Sequence, residues 1–207
     1  MFARSTSINA QPSLIDKGIA HVRDTVMPAL SHIDGYLGLS LMMDRESGRG
    51  IVTSAWKSED AMRRSGDRVT AVRDDAVQIF GASGADVEEW EVVVMHRAHH
   101  AREGTWMRAS WLGLDDADLA DAIETFKSGT LAKIEDLPGF CSASLVVNRA
   151  EQRAVTTVGY DDRSSLEYSR EGANAVRDEA ARQIDAHLLG VAEFELALAH
   201  LHIPEMV

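Results

Sequence analysis

A single cysteine, Cys141, stands in a chain of 207 residues. One thiol cannot form an internal disulfide, and no Cys-rich metal motif can be built from it. The reducing cytoplasm is therefore the expected compartment. Basic residues are also scarce, with 21 Lys+Arg against 33 Asp+Glu and a net charge of −12. That balance argues against binding nucleic acid or an anionic membrane through bulk electrostatics. The acid is spread through both halves and reads as a solvated surface. No apolar run approaches the ~20 residues that span a bilayer. Met1-Phe2-Ala3-Arg4 leads straight into a strand-like segment, where a signal peptide would have its apolar region. With 45% hydrophobic residues, the composition is that of an ordinary folded, soluble protein.

What the chain does have is a repeat. Ala71-Val72-Arg73-Asp74-Asp75-Ala76 returns as Ala175-Val176-Arg177-Asp178-Glu179-Ala180, and Glu89 to His96 returns as Glu193 to His200, both at an offset of 104 residues. The same register pairs Arg4 with Arg108, Gly35 with Gly139, Thr53 with Thr157 and Trp56 with Tyr160, without a gap. Each pair alone is weak; the constant register makes the repeat credible. A period this long means whole domains and not solenoid units. The expected boundaries are 1–97 and 106–207, with the polar stretch 98–105 as linker.

Both halves show one order of patterns. Residues 2–9 and 106–114 alternate like strands. Pro12-Ser13 and Asp115-Asp116 open amphipathic runs of apolar residues at 3–4 spacing, ended by Gly35 and Gly139. Tyr36–Asp44 and Phe140–Asn148 begin hairpins that close at Trp56 and Tyr160. Ser58 and Asp162 lie in stretches that offer N-caps for second helical regions, with breaks expected near Gly66 and Gly172. Val87–Arg97 and Val191–Leu201 read as final strands. The result is β-α-β-β-α-β twice, the split-βαβ order of a ferredoxin-like fold. Such a sheet carries helices on one face, so its other face needs cover, and the second copy is the obvious cover.

Several of these residues carry a family resemblance. Gly35-Tyr36 and Gly139-Phe140 enter the second strands, and Asp44-Arg45 and Asn148-Arg149 close them. Thr53-Ser54-Ala55-Trp56-Lys57-Ser58-Glu59-Asp60-Ala61-Met62 is similar to the strand-ending Trp, Ser, acidic pair and Ala of the antibiotic biosynthesis monooxygenase family. Each half resembles one domain of that family, within the dimeric α+β barrel superfamily. The resemblance implies an α+β fold of two tandem ferredoxin-like domains forming an intramolecular dimeric α+β barrel, with a pocket between sheet and helices in each. It also implies oxygenase chemistry that needs no cofactor and no metal. The haem-degrading branch of the family requires an Asn on the first strand and a Trp and a His in the second helical region. Here the first-strand counterpart is Ser7, and the run from Ser58 to Phe80 has neither His nor Trp.

The expected catalytic residues are Trp56, Arg4 and His21; Tyr36, Trp56, Arg108 and Tyr160 are the expected substrate-binding residues. Trp56 and Tyr160 end equivalent strands, where an aromatic ring either walls a pocket or packs on the following helix. Arg4 and Arg108 lie on a strand face where a guanidinium either stabilises an enolate or phenolate or reaches to water over its apolar stem. His21 is a general base if it borders a pocket, and a helix-surface histidine otherwise. His96, His200, His202 and the neighbouring His99 and His100 raise a metal site without completing a recognised spacing. Arg73-Asp74 and Arg177-Asp178 read as structural, and Cys141, which stands where the first half has Leu37, reads as a small apolar residue.

The functional expectation is a monooxygenase-like protein acting on a small hydrophobic aromatic or polyketide-like substrate. The alternative is a non-catalytic ligand-binding or structural protein of the same fold. A basic or His-bearing pocket lining favours the first; an apolar one, or one filled by Met42, Met43 and Met62, favours the second. The working site is expected in the first half, because that half keeps the family's Trp at Trp56, whereas the second carries Tyr160 there and extra bulk at Trp111. The expected partner is a small hydrophobic ligand, on a chain that is a monomer with an internal pseudo-dimer unless a further surface pairs two copies.

Overall fold

The computed structural model describes residues 1–114 and 119–207. The helix start expected at Asp115-Asp116 lies outside the described residues. The first half runs β1 (Phe2–Asn9), α1 (12–31), β2 (Tyr36–Met43), β3 (Arg49–Trp56), α2 (Glu59–Arg64), α3 (Gly66–Ile79) and β4 (Ala85–Arg97). The second runs β5 (Trp106–Gly113), α4 (119–135), β6 (Phe140–Asn148), β7 (Arg153–Tyr160), α5 (Arg163–Gln183) and β8 (His187–Leu201). The fold is α+β, and its eight strands hydrogen-bond in the closed order β1-β3-β2-β8-β5-β7-β6-β4.

The strand pairings of β1 with β3 and of β5 with β7 match at positions 104 residues apart. Phe2 faces Trp56 and Asn9 faces Arg49, while Trp106 faces Tyr160 and Gly113 faces Arg153, all antiparallel. Each second strand has a bulge two residues in, between Tyr36 and Gly38 and between Phe140 and Ser142. The chain forms two compact units, residues 1–90 with 194–203, and residues 91–193 with 204–207. In the first, β2 pairs with the later part of β8, from Gly38 opposite Leu201 to Met43 opposite Glu195. In the second, β6 pairs with the later part of β4, from Ser142 opposite Arg97 to Val147 opposite Glu91.

Local chemistry explains the elements. Gly35 and Gly139 have φ of +84° and +72°, a conformation that favours glycine and ends a helix. A Cβ there would stand 2.6 Å from Ala61 Cβ or 2.4 Å from Ser165 Cβ, so the turn also needs the missing side chain. Ser58 and Asp162 cap the second helical regions, accepting from the N–H of Ala61 at 3.1 Å and Ser165 at 2.8 Å. The expected break occurs in the first half, at Ser65. It does not occur in the second, where α5 continues through Gly172. A Cβ at Gly172 would lie 3.0 Å from Leu137 Cδ2, so this glycine admits a close neighbour and does not interrupt the helix. β8 also starts four residues before the expected Val191.

Both first helices contain a π turn, at Val22–Val26 and at Phe126–Thr130, again 104 residues apart. The N–H of Met27 reaches back five residues to Val22, and that of Leu131 to Phe126. Pro28 follows the first π turn, but Ala132 stands at the matching place in the second, so proline is not its common cause. Each unit has its own apolar core. One contains Ile15, Leu41, Trp56, Phe80 and Leu198; the other contains Val94, Phe126, Leu145, Tyr160 and Leu166. Complete burial of a side chain of this size contributes roughly 1.5–3 kcal/mol.

Candidate functional site

Alternate residues of β1 and β5 point under the helices, which places Arg4, Thr6 and Ile8 on one inner face and Arg108, Ser110 and Leu112 on the other. Each unit has a cavity there, of about 50 Å³ in the first and about 60 Å³ in the second. The two linings correspond through the repeat. Arg4, Val26, Val72, Arg73, Ala76 and Phe80 in one match Arg108, Thr130, Val176, Arg177, Ala180 and Ile184 in the other. The π turns contribute to both walls through Val22 and Val26, and through Phe126 and Thr130. A π turn is a frequent marker of a functional site. Among the described residues, neither lining contains a His, Cys, Asp or Glu.

A buried charge needs a partner, and both arginines have one. Arg4, 7% exposed, donates from Nε and Nη2 to Glu89 Oε1 at 3.1 and 2.7 Å. Its remaining donors reach Ser65 Oγ at 3.2 Å and the Met62 carbonyl at 3.0 Å, closing the end of α2 at the helix break. Arg108 donates from Nη1 to Glu193 Oε1 at 2.5 Å and from Nη2 to Asn174 Oδ1 at 2.5 Å. Asn174 Oδ1 also accepts from Arg177 Nη1 at 2.9 Å, and Arg170 donates to both oxygens of Glu193 at 3.0 and 2.7 Å. Burial pulls the Arg108 guanidinium below its usual range, and Glu193 opposes that shift.

The two networks differ in make-up. The first holds Arg4 with Glu89 and Arg73 with Asp74, two against two. In the second, Arg108 and Arg170 share Glu193, Glu167 also lies near Arg170, and Arg177 pairs with Asp178. Arg108 and Arg177 both line the cavity and converge on one amide oxygen.

The aromatic candidates lie elsewhere. Trp56 is completely buried, donates from Nε1 to Ser54 Oγ at 3.1 Å, and meets Tyr36 edge-on at 5.6 Å. Neither ring lines the first cavity. Tyr160 is equally buried, but the position of Ser54 is taken by Val158, and its hydroxyl has no hydrogen-bond partner among the described residues. Burial pushes both Tyr36 and Tyr160 up to about 12. His21 is largely covered on α1, its Nε2 3.0 Å from Asp75 Oδ2 but without hydrogen-bond geometry, and outside the first cavity's lining.

The second cavity is the larger of the two, and each lining carries two arginines, Arg4 and Arg73 in the first and Arg108 and Arg177 in the second. In the first, Phe80 fills the space that Ile184 leaves in the second, and a Cβ on Gly18 would stand 2.2 Å from the Phe80 ring. Trp111 is absent from the second cavity's lining because it alternates to the opposite face of β5 from Arg108 and Ser110. Sequence reasoning missed Arg177 and Asn174. The preserved Arg-Asp pair was the available signal. Adjacent helical residues do not face each other, yet the Arg177 side chain is long enough to bring Nη2 to 2.6 Å from Asp178 Oδ1 while Nη1 reaches Asn174.

No family model matches the sequence. The uncharacterized protein Rv2557 of Mycobacterium tuberculosis is 48% identical over 207 residues, covering 100% of this chain and 92% of that protein. The uncharacterized protein Rv2558 of the same organism is 48% identical over 208 residues, covering 100% and 88%. The chain belongs to the family of these two proteins. The Rv2557 family shares its fold with solved structures of monooxygenase-like proteins. A "putative monooxygenase" from Fusobacterium nucleatum superposes with a TM-score of 0.68 at 12% identity, over 99% of this chain and 95% of that one. An anthrone oxidase-like protein gives 0.65 at 10% identity, over 100% and 94%. A ferredoxin-fold protein from Listeria monocytogenes, related to antibiotic biosynthesis monooxygenases, gives 0.53 at 8% identity, over 95% and 94%. At these identities the likeness is one of fold. For this member of the Rv2557 family, what the site can do rests on its own residues: a largely apolar cavity whose lining includes Arg108 and Arg177.

Proposed function

We propose that this protein is a monooxygenase-like enzyme of two tandem ferredoxin-like domains, whose second cavity binds a small apolar, aromatic molecule bearing an acidic oxygen. The observation that carries this reading is the convergence of Arg108 and Arg177 on Asn174 Oδ1 at the end of an apolar cavity. A phenol or enol placed there loses its proton more readily, because two preorganised cations favour the anion. The anion is the electron-rich form that reacts with oxygen. An activated methylene gives a balanced case: CH2 and O2 become C=O and H2O, the substrate's own C–H bonds supplying both reducing equivalents. The protein then contributes binding, orientation and exclusion of water, and no cofactor is required.

Size limits the substrate. A cavity of about 60 Å³ is well below the roughly 150 Å³ that holds a benzene in an apolar core. A one-ring substrate therefore enters only as Ile123, Phe126 and Ile184 yield, and a fused polyketide needs a larger opening. A second reading, non-catalytic binding of an apolar anion, is favoured by one feature: among the described residues the lining has no carboxylate or imidazole to act as a base.

The test is oxygen consumption with a panel of phenols and enolisable ketones, run beside binding titrations. Uptake that falls about 10²–10³-fold in Arg108→Met and Arg177→Met supports the enzyme. Arginine-dependent binding without uptake supports the second reading, and binding indifferent to both arginines rejects both.

A further inference from the structure

Cys141 reads from sequence as a packing residue, but it has two unexpected neighbours. We propose that Cys141, His99 and Asp161 form a binding site for a divalent transition metal, with zinc as the ion that fits best. One ligand atom from each residue lies within 4.8 Å of the other two. Tetrahedral zinc, with bonds of roughly 2.0–2.3 Å, holds its ligand atoms about 3.5 Å apart. Rotation of the exposed His99 and Asp161 side chains closes that difference while the buried Cys141 stays in place.

The backbone brings the three together. The N–H groups of Ala98 and His99 donate to the Cys141 carbonyl at 3.0 and 3.4 Å, and the thiol reaches the His99 carbonyl at 3.7 Å. The Asp161 N–H donates to the Gly139 carbonyl at 2.9 Å, and His99 Nε2 lies 2.6 Å from Asp161 Oδ1. All these residues belong to the second unit.

The repeat supplies an internal control. The positions 104 residues away hold Leu37, Ile203 and Lys57, and none of these forms the same ligand set. The fold therefore does not require a thiol, an imidazole and a carboxylate at these three places. A thiolate and an imidazole select a borderline ion, and three protein ligands leave a fourth position for water. On binding, the thiol proton passes to solvent and coordination replaces the His99–Asp161 hydrogen bond.

The other histidines make poorer candidates. His96 touches Glu135 through Nε2 and Glu205 through Nδ1, so the carboxylates lie on opposite edges of the ring and cannot share its metal. His200 and His202 stand with ring centroids 6.3 Å apart, and no third ligand joins them among the described residues.

The experiment uses the full chain, stripped with a chelator and titrated with ZnCl2 by calorimetry and with CoCl2 by absorbance. One zinc per chain is expected, with a thiolate-to-cobalt charge-transfer band. His99→Ala and Asp161→Asn should each weaken zinc by about a hundredfold, Cys141→Ser should abolish the band, and His96→Gln should change neither. Both His99→Ala and Asp161→Asn alter exposed side chains, so they remain informative if Cys141→Ser fails to fold. Absence of saturable binding, zinc affinity unaffected by His99→Ala, or a cobalt spectrum without the band overturns the site.

Discussion

Replacing Tyr160 with Phe should stabilise the protein. The ring is completely buried and its hydroxyl has no partner among the described residues, whereas Trp56 at the matching position donates to Ser54. An unsatisfied buried polar group costs about 1–3 kcal/mol, and Tyr160→Phe removes the oxygen while keeping the ring. A gain of about 1 kcal/mol at neutral pH is the expected outcome, or ~2–4 °C in Tm for a chain of this size. The alkaline limb adds a second signature. Burial raises the Tyr160 phenol from 10.0 to about 12, so the unfolded chain ionises first. Its contribution is fully present below pH 10 and is lost as pH rises through about 12. Two pH units correspond to roughly 3 kcal/mol. Urea midpoints measured from pH 7 to 12 should fall less steeply in Tyr160→Phe, with the Tyr36 contribution remaining. Destabilisation by ~1 kcal/mol or more at pH 7, with an unchanged alkaline slope, would refute the orphan hydroxyl.

Four further outcomes follow from the same contacts. Ser54→Ala deprives the Trp56 indole of its acceptor and should cost about 1–3 kcal/mol in urea unfolding. Gly18→Ala drives a methyl into the Phe80 ring and should cost about 1–3 kcal/mol; adding Phe80→Ile, which reproduces the Ala122 and Ile184 pair, should restore most of it in a double-mutant cycle. Arg108→Met leaves Glu193 to Arg170 alone and should cost about 2 kcal/mol, less than the 3–5 of a fully abandoned buried charge, by calorimetry. His96→Ala removes the side-chain tie between Glu135 and Glu205 and should speed amide exchange at Met206, whose N–H donates to the Met95 carbonyl.

Much of the backbone plan was legible because a half-buried strand and an amphipathic helix write their periods directly into the chain. β1, β3, β6 and β7, both N-caps and both helix-ending glycines follow from such local signals. The π turns do not, because one added residue per turn leaves the 3–4 spacing of Val22 and Val26 looking like an ordinary helix. The ion pairs of the site were harder still. Arg4 and Glu89, like Arg108 and Glu193, are 85 positions apart, and only the repeated spacing hinted that they meet. The contest between cavity wall and core packing for Trp56 turned on three-dimensional neighbours that no pattern contains.

The division of β8 between the two units bears on how the molecule is made. The first unit lacks the neighbour of β2 until residues 194–203 emerge from the ribosome, although its other strands are synthesised early. Until then β2 presents an open sheet edge, the surface most prone to pair with another chain. Loss of the last dozen residues would likewise injure the half of the protein written first.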